Sequence, residues 1–131
     1  MKITPLDKLF SEFVRRRAVQ RVGGCERCLH TKTDITKEDG STLPDWKQLQ
    51  CSHFIGRGKG SVRADPSNAA GICGGCHNYF TANPLIHTEW IKSHLGEREL
   101  DLLRARSYQR GKIDVNGLLL YYRERIKELE R

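Results

Sequence analysis

The chain has 131 residues, of which 37% are hydrophobic and 30% are charged, and its net charge at pH 7 is +7. That length suits one domain with its own core, and that composition excludes a disordered chain. No apolar run approaches the roughly 18 residues of a transmembrane helix, and the N-terminus lacks the apolar stretch of a signal peptide. We therefore expect a single domain, residues 1–131, that stays in the cytoplasm and has no membrane partner.

The first predicted element is an amphipathic helix that fills the N-terminal flank, residues 4–22. Thr4 supplies a cap, Pro5 occupies the first turn, and Asp7 lies near the positive end of the helix dipole. Apolar residues recur behind them at helical spacing, and Gly23 follows as a stop signal.

The middle of the chain predicts two strands joined by a loop and followed by a helix. Residues 47–55 alternate as a strand does, and residues 56–68 are rich in glycine and basic side chains. A second strand, residues 69–73, leads into a helix that starts near Gly75. Residues 30–46 have no strong period and are interpreted as a loop, with a poorly formed hairpin as the alternative.

Three more helices are predicted in the C-terminal flank, residues 84–131. They cover residues 84–95, residues 97–108 and a last stretch from about Val115. The last helix places five apolar side chains on one face: Leu118, Leu119, Tyr122, Ile126 and Leu129.

Four of the five cysteines form two C-x-x-C pairs, Cys25 with Cys28 and Cys73 with Cys76. Since His77 follows the second pair, the string also fits covalent haem attachment, and a lone C-x-x-C fits a redox dithiol. Haem attachment takes place outside the cytoplasm, and nothing here directs export. Two pairs together favour Zn²⁺, because four thiolates suit its tetrahedral coordination. A closed shell of this kind has no position for substrate, so we expect the zinc to be structural.

Cys51 lies outside both pairs. It is predicted to be a small buried side chain beside a strand histidine, and a displaced zinc ligand is the alternative. His87 and His94 flank Trp90 on a predicted helix and are interpreted as packing or surface residues.

The segment from Cys51 to Phe80 holds His53 at the end of a strand, Asn68 at the start of the next strand, and His77 in the following helix. This order resembles the zinc-braced form of the HNH, or ββα-metal, endonuclease core. The resemblance covers about residues 25–83. The first helix and the string CSHF are similar to phage recombination nucleases of the NinG/Rap type.

The resemblance implies an α+β fold, with a small ββα-metal core and a Cys₄ zinc site between N- and C-terminal helices. It also implies a metal-dependent DNA endonuclease that hydrolyses phosphodiester bonds, with branched recombination intermediates as its substrate. By the same resemblance His53 is the general base, His77 binds a catalytic Mg²⁺ or Mn²⁺, and Asn68 pins the loop that orients the strand of His53. A histidine suits the role of base because its unperturbed pKa is about 6.5. No small-molecule cofactor is expected.

One departure from the family concerns the residue before the base. Many HNH nucleases have an aspartate ligand there, whereas this chain has Ser52. Either Ser52 binds the cation through its hydroxyl or a water, or Asp65 substitutes for the missing carboxylate, or the active site is impaired. The third case leaves an alternative function open, that of a catalytically inactive, zinc-stabilised DNA-binding module.

Basic side chains are assigned to DNA because a net charge of +7 favours a phosphate-bearing partner. Guanidinium and ammonium groups bind phosphate oxygens well. The residues concerned lie in the glycine-rich loop and on the first helix: Arg57, Lys59, Arg63, Arg15, Arg16 and Arg17. A solvated loop is the alternative for the first three. DNA is therefore the expected partner, and a homodimer is left open.

Overall fold

The structure is a computed structural model that describes residues 2–130, and within them the fold is α+β. Five α-helices and two antiparallel two-stranded sheets make up the described part. In chain order they are α1 (Pro5–Val22), β1 (Ile35–Thr36), β2 (Thr42–Leu43), β3 (Leu49–His53), β4 (Ala69–Cys73), α2 (Gly74–Ala82), α3 (Pro84–Leu95), α4 (Glu97–Ser107) and α5 (Val115–Leu129). None of these helices is both long enough and apolar enough to span a bilayer.

Helix α1 begins with the signals that the sequence predicts. The Thr4 hydroxyl accepts a hydrogen bond from the Asp7 backbone N–H at 3.1 Å, and the Asp7 carboxylate accepts one from the Thr4 N–H at 2.8 Å. These two bonds form a capping box, which satisfies backbone donors that the first turn leaves unpaired. The helix ends at Gly23, whose φ of 74° is the left-handed conformation typical of a glycine C-cap.

Strands β3 and β4 form the hairpin at the centre of the domain. Their register pairs Leu49 with Cys73, Cys51 with Gly71 and His53 with Ala69, and α2 follows β4 without a break. The predicted order of strand, strand and helix is thus confirmed. Strand β3 is shorter than the predicted range 47–55, because residues 45–48 form a turn of 3₁₀ helix that buries Trp46.

The core consists of two clusters on either side of the hairpin. In the first, α5 packs against α1 through the buried rings of Tyr122, Phe10 and Phe13. The Tyr122 hydroxyl donates to the Ala64 carbonyl at 2.5 Å, which ties α5 to the loop between the strands. The predicted apolar face of the last helix is confirmed by this packing.

The second cluster joins the end of α1 to β4, α2 and the cysteine pairs. It contains Ala18, Cys25, Leu49, Ala70, Ile72, Cys76 and Phe80. One cysteine of each pair, Cys25 and Cys76, is therefore buried in the core, whereas Cys28 is exposed. Residues 30–46, interpreted as a loop, include the short β1–β2 hairpin, whose side chains are mostly exposed.

Candidate functional sites: a Cys₄ metal centre and a histidine cleft

The four paired cysteines come together in one group. The sulfur atoms of Cys25, Cys28, Cys73 and Cys76 all lie within 4.8 Å of one another, and the Cys28 and Cys73 sulfurs are 3.9 Å apart. A tetrahedral Zn²⁺ with Zn–S bonds of about 2.3 Å places its sulfurs about 3.8 Å apart. The group can therefore hold a structural metal ion such as zinc with little movement of the chain.

Backbone donors surround the buried sulfur of this group. The Cys25 Sγ accepts N–H groups from Cys28 at 3.4 Å and from Cys73 at 3.3 Å. Burial by itself raises the pKa of Cys25, but these backbone donors outweigh it and lower that pKa to about 7. The Arg27 guanidinium, 3.7 Å from the Cys76 Sγ, adds a positive charge beside the group. Donors and a cation of this kind stabilise thiolates, the form that binds metal.

Glu26 fastens the first cysteine pair to the central hairpin. Its backbone N–H donates to the Gly71 carbonyl at 2.9 Å, and its side chain accepts the Gly71 N–H at 2.6 Å. The carboxylate is almost fully buried, so the pairing with β4 replaces its lost hydration. Sequence analysis did not identify Glu26. The only signal was an acidic residue placed between two metal-ligand candidates.

Cys51 is not part of the Cys₄ group. It lies on β3, packs against the first core cluster and faces the cleft described next. Burial raises the pKa of Cys51 to about 12, so it remains a protonated thiol at pH 7. These observations favour the prediction that Cys51 is a small buried side chain over the alternative that it is a displaced zinc ligand.

A cleft of about 460 Å³ lies between α1, β3 and α2 and brings His53 and His77 together. Arg15 from α1 and Arg57 from the glycine-rich loop line the same cleft. A second cavity, of about 500 Å³, lies between the starts of α1 and α5, but its walls are mainly apolar and contain neither histidine nor cysteine. The residues with the richer chemistry thus meet in the smaller cleft.

The ring of His53 is held in one orientation. Its Nε2 lies 3.0 Å from the Arg63 carbonyl oxygen. A carbonyl can only accept, so Nε2 carries the proton and Nδ1 keeps its lone pair. Burial lowers the pKa of His53, although the bond to the Arg63 carbonyl acts in the opposite direction. The imidazole is therefore neutral at pH 7, with Nδ1 as its basic atom.

Asn68 is fully buried and holds the glycine-rich loop closed. Its Oδ1 accepts the Ile55 N–H at 2.7 Å. Its Nδ2 donates to the carbonyls of Ile55 and Val62, both at 2.9 Å. Three hydrogen bonds of the Asn68 side chain thus tie the loop that follows His53 to the start of β4.

Arg63 clamps the same loop onto the first helix. Its Nε and Nη2 lie 2.7 Å and 2.5 Å from the two carboxylate oxygens of Asp7, and Nη2 also donates to the Lys2 carbonyl at 2.9 Å. Sequence analysis assigned Arg63 to DNA and saw Asp7 only as a helix-start residue. The structure instead places the Arg63 guanidinium in contacts within the protein, beside the carbonyl that orients His53.

The three consecutive arginines of α1 differ in their surroundings. Arg17 is buried and donates to the carbonyls of Pro66 and Ala69, both at 2.8 Å, so its guanidinium braces β4 from within. Arg15 and Arg16 lie over the Trp46 ring, 4.8 Å and 4.5 Å from its centroid. Of the three, only Arg15 lines the cleft, whereas Arg16 pairs with Glu12 at 3.0 Å.

Neither proposed oxygen ligand lies in the cleft. Ser52 is buried between Cys51 and His53, and because strand side chains alternate it faces away from the cleft that they line. The Asp65 carboxylate accepts from Arg106 Nε at 2.7 Å and from the Ser67 N–H at 2.9 Å. Of the described residues that line the cleft, Asp7 alone carries a carboxylate, the ligand type that Mg²⁺ prefers, and Arg63 already pairs with it.

In the described part of the chain, the four cysteines are the only His, Cys, Asp or Glu group compact enough to hold a metal by three or more ligands. Two of the other histidines, His87 and His94, pack against aromatic rings. His87 stacks on Phe80 at 4.5 Å, and His94 stacks on Trp90 at 4.6 Å. Both contacts agree with the interpretation of these two histidines as packing residues.

In comparisons with known proteins, no family model, no curated protein and no solved structure matches this chain. What the protein does must be inferred from the chemistry of the cleft and of the Cys₄ group.

Proposed function

We propose that the protein is a metal-dependent DNA endonuclease of the HNH type and that the histidine cleft hydrolyses a phosphodiester bond. The observation that carries the proposal is the meeting of His53 and His77 with Arg15 and Arg57 in one cleft. Phosphodiester hydrolysis needs a base for water, positive charge for the phosphate and fixed positions for both. The cleft contains a candidate for each requirement.

His53 supplies the base. Its Nδ1 holds a lone pair at neutral pH, because the ring is neutral and Nε2 donates to the Arg63 carbonyl. An attacking water that donates to Nδ1 would lose its proton there as the new P–O bond forms. The bond from phosphorus to one bridging sugar oxygen would break in the same step, and that oxygen would leave as an alcohol after taking a proton from solvent water. Asn68 and Arg63 hold the surrounding loop, so the ring does not have to be ordered during the reaction.

Arg15 and Arg57 supply positive charge for the phosphate. Arg15 is held in place, since its Nε donates to the Ser11 carbonyl at 3.1 Å and its guanidinium lies over Trp46. Guanidinium groups bind phosphate oxygens with charge-assisted hydrogen bonds. Two arginines from different elements would hold a DNA phosphate across the cleft.

His77 would be the protein ligand of a catalytic Mg²⁺ or Mn²⁺, which would neutralise charge on the phosphate. One imidazole is a poor ligand set for Mg²⁺, so water and phosphate oxygens would have to complete the shell. His77 directly follows Cys76 in α2, so a zinc ion in the Cys₄ group would fix the turn that presents it.

The test compares plasmid cleavage by the parent protein, His53→Ala and His77→Ala, with Mg²⁺ or Mn²⁺ added. We expect the His53→Ala rate to fall by about two to four orders of magnitude, while DNA binding is retained. His30→Ala is the matched control, because His30 is exposed and does not line the cleft. Cleavage by His53→Ala at the parent rate would remove His53 as the base.

Metal dependence and pH give two further measurements on the same proteins. Mn²⁺ should support cleavage at lower concentration than Mg²⁺, because it has the stronger preference for imidazole nitrogen. The pKa of His53 is lowered, so the rate should be flat near pH 7 and fall only below about pH 6.5. A metal titration unchanged in His77→Ala would exclude His77 as a ligand.

The position of Ser52 favours one other function, a zinc-stabilised DNA-binding module without catalysis. With Ser52 turned away and Asp65 paired to Arg106, the cleft lacks the acidic ligand that many HNH nucleases use. That hypothesis expects DNA binding but no cleavage by the parent protein with any divalent cation.

A further inference from the structure

One aromatic ring near the cleft has no evident structural use. Tyr108 follows the last residue of α4 and is 76% exposed, so its ring contributes little to the core. It belongs to a basic segment in which Arg110 and Lys112 are also exposed. An exposed aromatic ring among basic side chains is the combination that proteins use to bind single-stranded nucleic acid.

The glycine-rich loop connects this ring to the histidine cleft. The Lys59 Nζ lies 5.3 Å from the centre of the Tyr108 ring. Arg57, two residues earlier on the same loop, lines the cleft. Lys59 beside the ring and Arg57 in the cleft therefore belong to one loop that reaches from Tyr108 to the cleft.

Tyr108 is also held firmly relative to that loop. The Ser61 hydroxyl donates to the Arg106 carbonyl at 2.7 Å, and Arg106 Nε donates to the Asp65 carboxylate at 2.7 Å. Both contacts join the end of α4 to the segment between β3 and β4. The backbone just before Tyr108 is therefore fixed relative to the loop that carries Arg57 and Lys59.

A second exposed tyrosine shows what distinguishes Tyr108. Tyr121 on α5 is 43% exposed and has the Arg125 guanidinium 5.2 Å from its ring centre. Its neighbours Glu124 and Glu128 pair with Lys127 and Arg125, so that surface is balanced in charge. Tyr108 instead has the Lys59 ammonium over its ring, and Arg110 and Lys112 follow it in sequence, which suits an anionic partner.

We propose that Tyr108 is a stacking platform for an unpaired base of a DNA strand whose backbone runs into the histidine cleft. Lys59 and the basic segment after Tyr108 would hold the phosphates on either side of that base. In an intact duplex the faces of each base are covered by its neighbours, so the platform selects DNA with unpaired nucleotides next to the cleft. The inference rests on the proposed function for the phosphate in the cleft, and it specifies the class of DNA bound.

The test measures binding of the full-length, zinc-loaded protein to a labelled single-stranded oligonucleotide and to the blunt duplex of the same sequence. Metal that supports cleavage is left out. We expect Tyr108→Ala to weaken single-strand binding by roughly tenfold or more, since one base–aromatic stack contributes that much. Duplex binding should change by less than about twofold. Tyr108→Phe keeps the ring and should bind as the parent does, and Tyr121→Ala should be unchanged on both DNAs.

Three results would overturn the inference: parent-like single-strand binding by Tyr108→Ala, equal losses on both DNAs, or Tyr108→Phe as weak as Tyr108→Ala. Unfolding midpoints of all variants show whether a loss reflects a damaged fold. Cleavage by the parent with Mn²⁺ is scored separately. If cleavage occurs but Tyr108→Ala keeps the parent's preference for single-stranded over duplex DNA, the inference fails and the nuclease proposal stands. If no DNA is cut but the preference depends on Tyr108, the nuclease proposal fails and the platform stands.

Discussion

Asp7 connects the start of α1 to the orientation of His53. One carboxylate caps the helix through Thr4 and also holds the Arg63 guanidinium. The backbone carbonyl of that same Arg63 accepts the hydrogen bond from His53 Nε2. Because Arg63 is held at both its side chain and its carbonyl, a change at Asp7 should alter the orientation of His53 in the cleft as well as the start of α1.

The first prediction is that Asp7→Asn destabilises the fold at neutral pH and much less in acid. Burial alone would raise the pKa of Asp7, but hydrogen bonds from Arg63 and Thr4 outweigh it and lower that pKa to about 2. A carboxyl whose folded pKa lies below its unfolded value, 3.8, stabilises the fold above about pH 4 and loses that effect as the pH falls toward 2. We expect a loss of about 1–2 kcal/mol at pH 7, after allowance for solvent screening.

Urea unfolding of the parent and Asp7→Asn at pH 7 and pH 2.5 measures this difference. Asp101→Asn is the control, since the Asp101 side chain is 76% exposed and its pairing with Arg104, at 3.7 Å, is a surface contact. An Asp7→Asn penalty of the same size at both pH values would show that the lost charge is not its cause.

At the scale of elements, the packing of β4 on α1 depends on the absence of a side chain. A Cβ added to Gly71 would lie 2.6 Å from the Ala18 Cβ and 3.3 Å from the Val14 carbonyl oxygen. Real Cβ atoms do not approach a neighbouring carbon that closely, so helix and strand would have to separate. Both backbone groups of Gly71 also bond to Glu26: the Gly71 carbonyl accepts the Glu26 N–H, and the Gly71 N–H donates to the Glu26 carboxylate.

The second prediction is that Gly71→Ala costs about 1–3 kcal/mol of folding free energy, the usual penalty for overpacking a core. It should also lower zinc retention, because Glu26 would lose its alignment with β4. Thermal unfolding and zinc content measure the two effects. Gly56→Ala is the matched control, since a Cβ there meets no atom within 4 Å. A Gly71→Ala protein as stable as Gly56→Ala would contradict the proposed contact.

The elements themselves were largely predictable, because their signals are local. Thr4, Pro5 and Gly23 mark the ends of α1, and the spacing of apolar residues marks α1 and α5. The gathering of the four cysteines was also predictable, since two C-x-x-C pairs in one chain are typical of a zinc site.

The roles of individual charged side chains could not be predicted, because their partners lie far away in sequence. Arg63 meets Asp7, Arg17 meets Pro66, and Asp65 meets Arg106 across distances that no local pattern encodes. The direction of the Ser52 side chain follows from the alternation of side chains along β3, a strand that was predicted. That direction could therefore have been predicted too. Tyr108 carried no periodic or motif signal, and only its exposure identifies it.

At the scale of the whole molecule, the metal centre joins the two parts of the second core cluster. One part is the end of α1, and the other is the β3–β4 hairpin with α2. The first cysteine pair follows α1, and the second begins α2, so an ion in the Cys₄ group would link the N-terminal helix to the hairpin and its helix. Structural zinc in small domains contributes on the order of 10 kcal/mol, which is comparable to the total stability of a domain.

The third prediction is that the purified protein contains one zinc per chain and unfolds when the zinc is removed. Cys73→Ser should lose the metal and most of the helical signal. Cys51→Ser should keep both, because Cys51 lies outside the Cys₄ group. Elemental analysis and circular dichroism, before and after treatment with a strong chelator, measure the outcome. Folded protein without any metal would contradict it.

The pairing of α1 with α5 bears on the order in which the chain acquires its structure. Phe13 on α1 and Tyr122 on α5 pack together although they are roughly a hundred residues apart in sequence, and such distant contacts slow folding. During synthesis α1 emerges first, yet the part of its apolar face that Tyr122 covers stays open until α5 has been made. Zinc capture by the two cysteine pairs needs only the chain as far as Cys76, so it can organise the end of α1, the hairpin and α2 earlier. The metal centre would then hold a half-built domain together while the ribosome completes the helix that closes it.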